Sequence, residues 1–298
     1  MMAVTSGRGI VVVTGTSSGI GRATALRLAR EGFHVFASVR KEADGRSLLS
    51  EAGGGARITP LLMDVTDGAS IAAAAEVVEK AAGADGVAGL VNNAGVGLSA
   101  PVEHLPLDQL RSLFEVNVFG QVAVTQAFLP LLRRAKGRIV NIGSVGDRIA
   151  IPFGGALCAS KAALASLNDA LRMELRPWGV HVCLVEPGFI VTPAIDKTLG
   201  GIDELIAALP PEGARRYGQT MRDFTRSATK RERSGSPPTV VADAVLRALT
   251  EKSPSARYPV GQGARVLTTL PRVLPDSLLD RVRLRMLGLP RRFGALER

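Results

Sequence analysis

Cysteine is scarce in this 298-residue chain, which contains only Cys158 and Cys183. Two thiols in apolar surroundings cannot form a disulfide framework and have no metal-type spacing, so a reducing, cytoplasmic setting is expected. Aromatic residues make up 4% of the chain, too few for the stacking platforms of a nucleic-acid binder. No uncharged apolar run reaches the roughly 18 residues of a membrane span. The N-terminus also lacks the basic segment, apolar run and small-residue cleavage site of a signal peptide. Phenols are rarer still, with Tyr217 and Tyr258 the whole complement.

Positive charge is plentiful: the formal net charge is +10 and the pI about 10.4. Much of the excess sits late, in Arg215, Arg216, Arg222, Arg226, Lys230, Arg231 and Arg233, and again in Arg281, Arg283, Arg285, Arg291, Arg292 and Arg298. A solvated face accounts for such clusters without any partner; a membrane-surface contact stays open but is not favoured.

At 46% hydrophobic, the chain can bury one large core or two small ones, and periodicity decides between them. Short β-branched runs near residues 9 to 14, 33 to 38, 57 to 63, 87 to 91, 137 to 143 and 180 to 185 alternate with helical patterns. The helical stretches are 19 to 31, 68 to 82, 107 to 135 and 155 to 177. This alternation predicts an α/β fold with one doubly wound parallel sheet flanked by helices, its strands apolar on both faces. The core runs from about 8 to 193. A polar segment punctuated by Pro and Gly, about 193 to 238, reads as a helical lid, and a helical C-terminal extension covers about 239 to 298. Within that extension a helix is expected from Val240 to Lys252 and an edge strand from Arg257 to Val260. The stretch from Asp276 to Leu287 reads as an amphipathic helix with Leu278, Leu279, Val282 and Met286 on one face.

The first strand ends in Thr14-Gly15-Thr16-Ser17-Ser18-Gly19-Ile20-Gly21, and a helix opens at once. In such a turn Gly15 permits the tight bend, Gly19 lets backbone amides approach a pyrophosphate, and Gly21 lets helix and strand pack closely. Placed at the start of a βαβ chain, this is a dinucleotide cradle of Rossmann type. The second strand ends in Ser38-Val39-Arg40-Lys41, with no carboxylate before Glu42. A carboxylate there would hold a free ribose 2′-OH, whereas Arg40 suits a 2′-phosphate; NADP(H) is expected ahead of NAD(H).

Over residues 9 to about 193 the chain resembles the short-chain dehydrogenase/reductase family, on several motifs in order. These are the glycine turn, Asp64-Val65, Asn92-Asn93-Ala94-Gly95, Asn117 in Asn117-Val118-Phe119-Gly120, Ser144 in Asn141-Ile142-Gly143-Ser144, Lys161, and Pro187-Gly188 with Thr192. The resemblance implies that Asp64 and Val65 meet the adenine and that Asn92, Ala94 and Gly95 border the cofactor. It further implies that Pro187, Gly188 and Thr192 form the nicotinamide turn, that Ser144 hydrogen-bonds the reacting oxygen, and that the Asn117 backbone helps hold a relay water. Lys161 would hold the nicotinamide ribose, and a homodimer or homotetramer is implied. The departure is at the defining tyrosine, four residues before the lysine, where this chain has Leu157. Leucine cannot donate a proton, and loss of a general acid lowers rate by roughly 10² to 10⁴-fold.

Three readings stay open at the level of sequence. The chain is an NADP(H)-dependent oxidoreductase on a bulky lipophilic alcohol or ketone, slow or with a displaced acid; or a non-catalytic NADP(H)-binding sensor or partner subunit; or a protein in which leucine was introduced at a natural tyrosine. Tyr217, in the lid, and Cys158, beside Leu157, are the candidate replacement donors.

Overall fold

The computed structural model describes residues 7 to 290. Strands β1 (Ile10–Val13), β2 (His34–Val39), β3 (Ile58–Leu62), β4 (Gly89–Asn92), β5 (Arg138–Ile142), β6 (His181–Pro187) and β7 (Arg257–Val260) form one sheet. Their order is β3-β2-β1-β4-β5-β6-β7, and every pairing is parallel. The six expected strands are all present, and the expected edge strand supplies the seventh.

The inner strands are buried on both faces because helices cover both, while the edge strands β3 and β7 are only partly covered. Along β1, Val11 and Val13 enter one apolar cluster and Val12 the other, the alternation that a pleated strand imposes. The first cluster lies under α1 (Gly19–Arg30), α2 (Glu42–Ala52) and α10 (Thr239–Thr250). The second lies under α3 (Gly68–Ala82), α5 (Gly120–Ala135) and α6 (Gly155–Leu175).

Three features depart from the sequence reading. Helix α2 was not expected: its run is polar and interrupted by Gly45, a poor helix former. That glycine lets the helix close on β3, since a Cβ there would lie 2.8 Å from the Pro60 Cβ. The stretch from 107 to 135 is not one helix but α4 (Leu107–Phe114), a π-helical turn (Glu115–Phe119) and α5. The lid is helical as expected, formed by α7 (Ala194–Leu199), α8 (Ile202–Ala207) and α9 (Pro211–Arg233). Pro211 sits in the first turn of α9, where proline starts a helix rather than breaking it. Finally, α11 (Ala264–Val273) precedes the expected last helix, α12 (Asp276–Met286). Arg291, Arg292 and Arg298 lie outside the described residues.

The lid has its own apolar cluster, in which Leu199, Ile206, Met221 and Phe224 meet Phe153 from the loop before α6 and Leu287 and Leu289 from beyond α12. Phe153 has φ +61°, an uncommon conformation for a bulky residue, and its ring packs edge-on against Phe224 at 5.4 Å and Tyr217 at 6.2 Å.

Candidate active site at the sheet switch point

Between β1 and β4 the strand order reverses direction, and in open α/β sheets ligands bind in the crevice at that point, beyond the carboxyl ends of the strands. The glycine turn lies there. Gly15 and Gly19 have φ +68° and +58°, the left-handed region that favours glycine. A Cβ on Gly15 would stand 2.9 Å from the Ala94 Cα, and one on Gly21 would run into the Gly15 carbonyl oxygen. Ser18 caps α1 with extended backbone and makes no side-chain hydrogen bond to the helix, so the first-turn amides and the hydroxyl are left for an anion. Ser17 directs its carbonyl to Arg22, and Ile20 packs into the first cluster. These features fit a dinucleotide pyrophosphate.

The turn is fixed from β4. Asn93 donates from Nδ2 to the carbonyls of Thr14 (2.9 Å) and Gly15 (3.1 Å), while Thr14 Oγ1 accepts from the amides of Asn93 and Ala94, both at 2.9 Å. Gln121 caps the Ala94 carbonyl. Asn92 points the other way: its Nδ2 donates to Thr125 Oγ1 (2.8 Å) and Asn141 Oδ1 (2.9 Å), within a buried polar row that continues to Asn168. Thr14 and Asn93 are therefore the side chains that hold the cradle. Both stood inside recognised motifs, but which of two adjacent asparagines faces the turn depends on the pleat of β4.

At the β2 end Arg40 is exposed, makes no hydrogen bond or ion pair among the described residues, and faces Asp64 closely enough for its field to be felt there. Hydrogen bonds from the Thr66 amide and hydroxyl, then the Arg40 field, hold the Asp64 carboxyl below its usual range. Val65 buries its side chain in the second cluster, and its carbonyl lies against Gly120, where no Cβ would fit. At the far side Pro187 closes β6 against Val260, and the Gly188 amide donates to the Val260 carbonyl at 2.9 Å. Thr192 reaches the glycine turn: its Cβ lies 3.4 Å from where a Gly19 Cβ would stand.

The reacting centre is built by β5, the π-helical turn and α6. Lys161 is buried, donates from Nζ to the Ile142 carbonyl at 2.8 Å, and lies beside Gly95 and Asn117. Burial lowers its pKa to about 8, partly opposed by the field of Asp147. Asn117 is fully buried: its Oδ1 accepts from the Val96 amide (2.9 Å), and its Nδ2 donates to the Val96 carbonyl and to Ser160 Oγ, both at 3.0 Å. Its side chain thus ties the β4 loop to α6, and the irregular turn brings it there, a common setting for π-helical turns. Ser144 opens a 3₁₀ turn two residues beyond Ile142, its hydroxyl accepting from the Gly146 amide at 3.0 Å.

Leu157 is half-buried, one helical turn before Lys161, and belongs to none of the four apolar clusters. Both phenols of the chain are engaged by glutamates. Tyr217 donates to Glu103 Oε2 at 2.6 Å, a bond that raises its own pKa. Tyr258 is in the core, donating to Glu251 Oε2 at 2.7 Å. The Cys158 thiol is buried against the Ile149 carbonyl, and burial pushes its pKa up, which makes it a packed side chain rather than a donor.

A charged cluster that the sequence did not announce lies behind the Ser144 turn. Arg257 Nη1 binds Asp147 Oδ2 at 2.8 Å and Glu186 Oε1 at 2.7 Å, and its Nη2 binds Asp169 Oδ2 at 2.7 Å. Burial, then the Glu186 charge, raises Asp147 to about 7. The members come from four separate stretches of chain, so no local spacing betrays them.

Comparison with known proteins agrees with this arrangement. A family model described as short chain dehydrogenase matches residues 9–200. Human retinol dehydrogenase 5 is 37% identical over 283 residues, covering 91% of this chain and 86% of its own. An NADPH-dependent 3-dehydrocapnine reductase from Ornithobacterium rhinotracheale is 35% identical, covering 91% and 94%. Among solved structures, a Burkholderia cenocepacia short chain dehydrogenase in complex with NADP superposes with a TM-score of 0.69 at 27% identity, covering 92% and 96%. With the matched model spanning the glycine turn, the Ser144 turn and Lys161, the chain belongs to the short-chain dehydrogenase/reductase family.

Proposed function

We propose that the protein is an NADP(H)-dependent oxidoreductase interconverting a lipophilic alcohol and its ketone, slowly and with a proton donor other than a phenol at position 157. The observation that carries this reading is the assembly of buried Lys161 and Asn117 beside Gly95 at the switch point that also holds the glycine turn.

Arg40 pairs with the 2′-phosphate and the first turn of α1 takes the pyrophosphate. When bound, the nicotinamide supplies or accepts the hydride. Ser144 holds the substrate oxygen. Lys161, whose burial makes its ammonium more acidic than a free lysine, orients the ribose and is the nearest cationic proton source. A lipophilic substrate suits the apolar lid around Phe153, Leu199 and Met221, and the relatives named above include a retinol dehydrogenase. We place the protein in the cytoplasm, consistent with two free, buried cysteines. No helix among the described residues is long and apolar enough to cross a membrane. A homodimer or homotetramer would cover Phe119, Leu167 and Met173, which are 56%, 43% and 62% exposed.

Leu157 favours a second reading, in which the chain binds NADP(H) without turnover as a sensor or partner subunit. Fluorescence titration with NADPH, followed by NADPH oxidation across a panel of lipophilic ketones and aldehydes, separates the two. Turnover supports the enzyme; tight binding with no turnover on any carbonyl supports the binder. Failure to bind either pyridine nucleotide removes both.

A further inference from the structure

The arginine-rich end of the chain invites a membrane reading through the apolar side of α12, but packing uses up most of that side. Leu279 is 1% exposed and Met286 is packed against the cluster that contains Ile149 and Leu267. The unpartnered surface lies instead on α11. Its inner face, Ala264, Leu267 and Thr268, is buried. Its outer face carries Val266 and Val273, 60% and 67% exposed. Seven residues apart on a helix, the two valines point within about 20° of each other. Arg265 and Arg272 repeat the same interval on the adjoining stripe, and both are exposed.

Two further observations bear on what covers this face. Around it the exposed charges are mainly cationic: Arg281 and Arg285 add to the pair on α11, opposed by Asp276 and by Asp280, the latter already bound to Arg283 at 2.9 Å. Val266 also forms the lip of a cavity of about 260 Å³ lined by Phe189, Leu267, Met286 and Arg231. Arg231 spends its Nε on the Met286 carbonyl and makes no other hydrogen bond or ion pair among the described residues. Apolar residues ringed by arginines, beside an apolar hollow with one cation inside, match the boundary between acyl chains and anionic headgroups.

We propose that the outer face of α11 seats the protein on an anionic lipid bilayer. Val266 and Val273 enter the acyl boundary, and Arg265 and Arg272 meet the headgroup phosphates. The seat lies one packing layer from the reacting centre, because Leu267 and Leu270 of α11 share one apolar cluster with Val145 and Ile149 of the segment that begins at Ser144. A lipophilic substrate dissolved in the bilayer is thereby delivered beside the site. The docking itself stands without the catalytic reading.

The test is co-sedimentation with phosphatidylcholine vesicles, with and without phosphatidylglycerol as about one-third of the lipid. Wild type partitions onto the anionic vesicles at low ionic strength, is released by salt, and does not bind pure phosphatidylcholine. The double variants Val266→Ser/Val273→Ser and Arg265→Gln/Arg272→Gln each weaken partitioning about tenfold. All four side chains are exposed, so far-UV circular dichroism and NADPH titration stay at wild-type values. Three results overturn the proposal: no partitioning by wild type, undiminished partitioning by both variants, or binding to duplex DNA in place of vesicles. A fourth is self-association by light scattering, abolished by the valine variant, which would assign the face to a second copy.

Discussion

Replacing Leu157 by tyrosine should supply a phenolic proton donor at a position whose side chain has none. Positions 157 and 161 lie one turn apart on α6, with Cβ atoms about 5 to 6 Å from each other. Lys161 is already held in place by the Ile142 carbonyl at 2.8 Å. A phenol introduced there lies beside a buried ammonium, which lowers the pKa of the phenol and prepares it to protonate the carbonyl oxygen. Leu157 packs into no apolar cluster, so the larger ring displaces little of the core. A general acid is worth roughly 10² to 10⁴-fold in rate, equivalent to about 2.7 to 5.4 kcal/mol off the barrier. The assay is NADPH oxidation under single-turnover conditions for wild type, Leu157→Tyr and Leu157→Phe. We expect the gain in the tyrosine variant alone, with NADPH affinity unchanged, and its loss when Lys161→Ala is added, because the two groups act as a unit. An equal gain in the phenylalanine variant would refute the reasoning, since ring shape rather than proton donation would then explain it. So would measurable wild-type turnover that the tyrosine leaves unimproved.

Arg40→Gln should weaken NADPH binding by about 10- to 100-fold, the worth of a charge-assisted bidentate contact, and leave NADH binding nearly unchanged, by fluorescence titration of both nucleotides. Because Lys161 titrates at about 8 and its ammonium is the competent form for carbonyl reduction, kcat/KM should hold below that pH and fall above it; Lys161→Met should remove the break. Asp147 is raised to about 7, so the folded state holds a proton that the unfolded chain releases near pH 4. Its contribution to stability is then greatest at low pH and is lost as pH rises through 7. Urea denaturation of Asp147→Asn should accordingly show a stability that gains on wild type between pH 5 and 8. Tyr217→Phe should leave turnover unchanged, because that hydroxyl is engaged by Glu103; a loss of turnover would place it in the reaction.

Strands buried on both faces made the sheet legible, since Val11, Val12 and Val13 admit few other environments. The glycine turn was equally plain because its residues act through backbone geometry that sequence fixes locally. What escaped depended on contacts distant in sequence. Gly45 reads as a helix breaker until Pro60 is seen against it. Asn117 stands in a recognisable motif, yet only the fold turns its side chain onto Val96 and Ser160. The Arg257 cluster joins four segments and leaves no trace in any one of them.

The positive φ of Phe153 ties two segments together. Holding a bulky residue in that conformation costs of order 1 to 3 kcal/mol, and its ring rests on Phe224 and Tyr217 of α9. Phe153 is also two residues from the first residue of the helix that carries positions 157 and 161. The Phe153 carbonyl also accepts from the Ala100 amide at 3.0 Å, so ring and backbone are held from two sides. The packing of α9 and the conformation of the segment that leads into the lysine-bearing helix are therefore linked through a single side chain.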